Sequence, residues 1–181
     1  MPGNSFVQFV ANGSTVIAGE SLQDGHDGAK GWNEISDWSW DIEAETNFLK
    51  GTGASIGKPT AGVLSFTHTY DKSSPVMMQY ILKGAHFSKM IIHMLKQTGN
   101  DKGMPELYFQ LNAKDVFITK VSSKGGEDGA VTQDVEVVFK SVTMGYRAQG
   151  NDGKLSQKDR TFKWNIAVMD QSTGLDDIAW K

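Results

Sequence analysis

Apolar residues recur along this chain in short runs that alternate with polar ones, the period of strands and not of helices. Phe6-Val7-Gln8-Phe9-Val10 is predicted as a first strand, and Asn12-Gly13 is a tight-turn pair after it. Residues 19–31, rich in Gly and Asp, are predicted as a loop. The run from Trp32 to Ile42 follows as a strand, with Trp38, Trp40 and Ile42 on one face and Asp37, Ser39 and Asp41 on the other. Ile35 is out of phase with Trp38, which leaves room for a bulge or for burial on both faces. Leu64, Phe66, His68 and Tyr70 alternate, as do Leu107, Phe109, Leu111 and Ala113. The latter phase shifts near Asp115 and continues through Val116 and Ile118. Gly125 to Gly129 is a hairpin-type loop leading to a long strand over 131–146 whose phase switches near Phe139. Asn151-Asp152-Gly153 is a turn, and Phe162, Trp164, Ile166 and Val168 alternate on a final strand.

One segment breaks the two-residue period. Ser73 or Ser74 is a suitable cap, Pro75 suits a first turn, and Met77, Tyr80 and Ile81 form a stripe at helical spacing. Gly84 is a stop signal, so a helix is predicted over about residues 74–83. Residues 86–98 fit either period: Phe87, Met90, Ile91, Met94 and Leu95 have helical spacing, while Met90, Ile92 and Met94 alternate. Residues 46–60 are predicted as a long connection carrying Phe48, Leu49 and Ile56, with Lys50, among glycines. Apolar residues on such a connection point to docking against a neighbour, or to folding back on its own domain.

Composition narrows the functional classes. The chain of 181 residues is the size of one domain, with enough core to need neither metal nor disulfide. A net charge of −3, with no run of Lys or Arg, argues against nucleic acid as a partner. The absence of Cys removes thiol catalysis and thiolate metal sites, and fits passage between reducing and oxidising surroundings. The start, Met1 to Phe6, lacks the features of a signal peptide, and no apolar run is long enough for membrane insertion.

No catalytic, cofactor or metal residues are assigned. His26, His68, His86 and His93 lack ligand spacing; His68 and His93 fit as polar members of strands and His26 as a solvated loop residue. Asp37, Asp41 and Glu43 could be a hydrolase's carboxylates, but a solvated strand face explains them more simply. Gly51-Thr52-Gly53 and Gly125-Gly126 lack the strand-to-helix setting of phosphate loops. Trp32, Trp38 and Trp40 could stack on sugar, as in a carbohydrate-binding module, yet large aromatics more often bury their area. Trp38, Trp40 and Trp164 are therefore expected as core anchors.

The segments in order resemble the haemolysin-coregulated protein (Hcp) family, the tube subunit of bacterial type VI secretion systems. The stretches that carry the likeness are His26 to Gly31 leading into Trp38-Ser39-Trp40, then Asp71-Lys72-Ser73-Ser74-Pro75-Val76-Met77-Met78 with Gly84 and His86. Glu106 to Val121, Gly125-Gly126-Glu127-Asp128, the strand to Tyr146 and Lys163-Trp164-Asn165-Ile166 complete it. Where the family often has a glycine run, residues 46–60 carry Phe48, Leu49, Lys50 and Pro59. The resemblance implies a mainly β fold, a small β-barrel of two antiparallel sheets with one short flanking helix, over 1–170, with 171–181 as a tail. It makes residues 86–96 a strand. It also implies a homo-hexameric ring, stacked rings forming a hollow tube, a spike protein at the tip, a contractile sheath outside and effector proteins in the lumen. The protein would be cytoplasmic before firing and then secreted without a signal peptide. On that plan Asp37, Ser39 and Asp41 face the lumen, and Phe48, Leu49, Lys50 and Ile56 contact a neighbouring subunit or ring. A phage-like tail-tube protein is the nearest alternative.

Overall fold

The computed structural model describes residues 4–49, 53–157, 159–172 and 174–180. In chain order the strands are β1 (Ser5–Val10), β2 (Leu22–Gln23), β3 (His26–Asp27), β4 (Trp32–Ser39), β5 (Ile42–Leu49), β6 (Gly53–Ala61), β7 (Leu64–Thr69), β8 (Phe87–Lys96), β9 (Glu106–Gly125), β10 (Val131–Tyr146) and β11 (Arg160–Asn165). A 3-10 turn spans Gly28–Lys30, and the helix α1 is Ser74–Lys83. Residues 86–96 thus resolve as strand, because both faces of β8 are in use.

Six strands close a barrel in the order β10-β7-β4-β1-β8-β9, and the β9–β10 hairpin returns to the start. All pairings are antiparallel. Closure removes the unpaired edges that an open sheet of this length would expose. On the side away from β9, β10 serves two neighbours: Thr132–Val137 pair with β7, and Ser141–Tyr146 with β11. The sheet therefore branches at β10, with β11 as a seventh strand beside the barrel.

Two irregularities keep the right side chains inside. The β4–β7 register slips between Ile35 and Asp37, so Ser36 is the extra residue of a bulge. That slip lets Ile35 be buried while Trp38 also packs on the core. In β9, Asp115 has φ 50°, and Ala113 and Val116 on either side are both fully buried. The interior holds Val7, Phe9, Leu64, Phe66, Ile92 and Leu111, all 1 % exposed or less.

Helix α1 seals one side against β9. Met77 is fully buried, worth about 1.5–3 kcal/mol, and Tyr80 stacks on Phe87 with ring centres 4.0 Å apart. Gly84, at φ 60°, ends it in the left-handed conformation a side chain would strain. The start differs from a simple serine cap: Asp71 Oδ1 accepts the Ser73 amide and hydroxyl, and the Ser74 hydroxyl accepts the Asp71 amide at 3.0 Å.

A second, smaller core lies on the outer face, where Phe6, Trp32, Leu95 and Leu107 are buried with Ile91 and Trp180 beside them. It corrects one expectation. His26 is not a solvated loop residue but is 8 % exposed, because the loop over 19–31 folds down onto Phe6 and Trp32. The stretch 46–60 is likewise no irregular connection; β5 and β6 pair with each other in a hairpin. The final strand stops at Asn165. Its backbone pairs with Asp170 in both directions, so Ile166 to Met169 turn back and Val168 is exposed.

Candidate functional site

The Ser36 bulge sets the two faces of the tryptophan segment. Trp38 stacks on Phe109 with ring centres 5.4 Å apart, and its indole N–H donates to Met94 Sδ at 3.3 Å. Trp40 donates to the Gly62 carbonyl at 3.1 Å and packs against Phe139 and Trp164. Trp164 is buried in β11. Asp37, Ser39 and Asp41 are all exposed on the other side.

They belong to a polar band that runs across four strands. The register aligns Ser39, Ser65, Glu136 and Lys120 in one row, and Asp37, Thr67 and Asp134 in the next. The Ser39 and Ser65 hydroxyls are 2.9 Å apart. Thr67 donates to Asp134 at 2.7 Å, Lys124 pairs with Asp134 at 2.9 Å, and Lys120 with Glu136 at 3.3 Å. The Thr67 hydrogen bond first, then Lys124, holds the Asp134 carboxyl below the usual carboxylate range. The surface is thus wetted, with much of its charge paired, and offers few apolar holds for tight binding. Asp41 sits at the edge of the band. Its carbonyl accepts the Gly62 amide at 2.9 Å, and a Cβ at Gly62 would fall 1.7 Å from Asp41 Oδ1, so a side chain there would push the Asp41 carboxylate aside.

The β5–β6 hairpin leaves the barrel beside this band. Its pairing runs from Ile42 opposite Ala61 to Leu49 opposite Gly53, with a bulge at Gly57–Lys58 of β6 opposite Glu45. Among the described residues, neither outer edge pairs with another strand. Pro59 in β6 is tolerated because such an edge needs no donor there. Ile56 is 76 % exposed. Phe48 and Leu49 are the last residues of β5, and Lys50 lies outside the described residues. At the hairpin base is an apolar cleft of about 520 Å³ lined by Trp40, Ile42, Phe109, Met144, Tyr146 and Phe162. The structure therefore brings Asp37, Ser39 and Asp41 together and sets the hairpin residues apart on an arm.

Sequence reasoning missed a partly buried histidine pair. His26 Nε2 and His93 Nδ1 are 2.8 Å apart, against the face of Trp32. Burial, then the neighbouring His26, pushes His93 down to about 3, and burial lowers His26 as well. The pair spans 67 positions of sequence, and no local spacing signals it. Among the described residues, no three His, Asp or Glu side chains converge to hold a metal ion, and no helix is long and apolar enough to cross a membrane.

Residues 6–146 match the family described as type VI secretion system effector, Hcp. The chain is 31 % identical over 105 residues to protein hcp1 of Pseudomonas aeruginosa, covering 57 % of this chain and 62 % of that protein. Among solved structures it is similar to Hcp1 from Salmonella typhimurium, with TM-score 0.70 and 26 % identity over 93 % of this chain and 99 % of that one. It is also similar to a structure described as a type six secretion system protein, with TM-score 0.79 and 22 % identity over 93 % of this chain and 98 % of that one.

Proposed function

The chain belongs to the Hcp family, and on that premise we propose that it is the subunit of a type VI secretion tube. Six copies form a ring, rings stack into a hollow tube, and effector proteins travel in the lumen. A spike protein caps the tube and a contractile sheath surrounds it. The role is structural and not enzymatic. The protein is made in the cytoplasm and leaves the cell with the tube.

The observation that carries this reading is a closed barrel with a hairpin projecting from it, its edges unpaired among the described residues and an apolar cleft at its base. A closed barrel offers little backbone for association, so assembly falls to the parts left outside it. Head-to-tail contacts between different surfaces of identical subunits close into rings. In this reading Phe48, Leu49, Lys50 and Ile56 meet a neighbouring subunit or ring. Asp37, Ser39 and Asp41 line the pore, where a polar wall holds cargo weakly enough to let it go.

Light scattering followed by electron microscopy tests both halves. Hexameric annular particles are expected, and a gold-labelled Ser39→Cys variant should place density inside the pore. A non-annular monomer at high concentration would end the tube reading. Gold on the outer rim would end only the lumen assignment.

A further inference from the structure

Residues 175–180 lie along the outer surface of β8, β9 and β10 and are gripped through side chains. Asp176 makes ion pairs with Lys89 of β8 at 2.9 Å and Lys114 of β9 at 2.6 Å, and its carbonyl accepts the Thr143 hydroxyl at 3.0 Å. Burial pushes the Asp176 carboxyl up, but the two lysines outweigh it and hold it below the usual range. Asp177 pairs with Lys163 of β11. Ile178 and Trp180 close over Gly145, where a Cβ would come within 2.9 Å of the indole and 3.0 Å of Ile178. Trp180 packs against the outer core, lies 5.3 Å below the Arg147 guanidinium and donates its N–H to Asp159 at 2.9 Å.

Among the described residues, no backbone-to-backbone hydrogen bond ties 175–180 to the barrel. The gripping residues Lys89, Lys114, Thr143 and Gly145 all sit in strand ladders that do not involve the strap. The arrangement is that of a peptide in a groove: an acidic residue on two lysines, an aliphatic one over a glycine, and an aromatic one in an apolar pocket. Beyond the Asn165–Asp170 backbone pair, residues 171–174 form the leash, exposed where described, and can span roughly 13 Å.

We infer that this groove is open in trans, and that the Asp176–Trp180 segment of one copy occupies the groove of a second copy. Emptying the groove leaves Lys89 and Lys114 without their shared carboxylate and uncovers the Trp180 pocket, so a vacated groove draws in the next available strap. Exchanging identical segments restores every contact and costs only what the leash loses in freedom. The inference goes beyond the tube reading and does not rest on it.

The cysteine-free chain allows a clean trap. Gly145→Cys and Ile178→Cys, made together in one chain, should close a disulfide in cis. The same substitutions in two separately tagged full-length chains, mixed under mild oxidation, should give a covalent heterodimer. No heterodimer while the doubly substituted chain closes would confine each strap to its own groove and overturn the inference. A second readout leaves the groove intact. A fluorescent peptide of residues 175–180 should bind the wild-type chain saturably, and about tenfold more weakly after Lys114→Ala. Absence of saturable binding would overturn the inference equally.

Discussion

His93 and His26 share one hydrogen bond in a partly buried site, and neither can take up a proton there without cost. A base whose folded pKa is depressed favours the folded state above its unfolded value and loses that advantage as pH falls. With His93 lowered from 6.5 to about 3, the chain should lose about 2 kcal/mol of stability between pH 7.5 and pH 5. Urea unfolding at the two pH values measures this, and His93→Gln should flatten the dependence. An unchanged midpoint in the wild type would show the pair to be solvated. Nothing in the letters around His26 reveals this, because Asp24, Gly25 and Asp27 are the signature of an exposed loop. The partners that bury it, Phe6, Trp32 and His93, are adjacent only once β1, β4 and β8 have paired. Trp38 and Trp40 were more legible, since two indoles two residues apart on a strand leave little choice of face.

Elements were legible where one face is wet. Helix α1 spans Ser74–Lys83 as its serines, Pro75 and Gly84 indicate. β7 shows its alternation plainly, with Leu64, Phe66 and His68 buried. β8 and the end of β10 did not, because the outer core and the strap cover their second faces. Ser141, Val142 and Thr143 are buried in succession, and such a run carries no period. The β5–β6 hairpin was hidden for the opposite reason. Its side chains from Ile42 to Thr46 and from Ile56 to Thr60 are all exposed, so they show no buried side, and its glycines and Pro59 imitate a loop. Its isolation also makes it separable. Replacing residues 46–60 with a short turn should leave the barrel's melting temperature within a few degrees of wild type and abolish tube formation by electron microscopy. Tubes forming normally would remove the hairpin from the assembly surface.

At the scale of the molecule, the antiparallel barrel was what the family resemblance implied, and a set of long strands with a single helix followed from the spacing of apolar residues. Barrel closure did not, because it depends on β9 and β10 pairing from Phe109 opposite Tyr146 out to Gly125 opposite Val131. The split of β10 between β7 and β11 depends equally on lengths that no local signal fixes. The proposed export as a preassembled tube makes a molecular prediction: protein recovered outside the cell should have the mass of the intracellular form, intact at its first residues. An N-terminally trimmed extracellular form would point to a different route.

The two kinds of attachment in this molecule should answer force differently. The strap lies lengthwise on the barrel, with Trp180, Ile178 and Asp176 as successive grips. A load hung from its end strips these one after another, like tape lifted from a corner, and never confronts them all at once. Tension applied along β9 against β10 meets the whole ladder together. A tether at the end of this chain would therefore let go under a gentle pull while the wall beneath it stays intact.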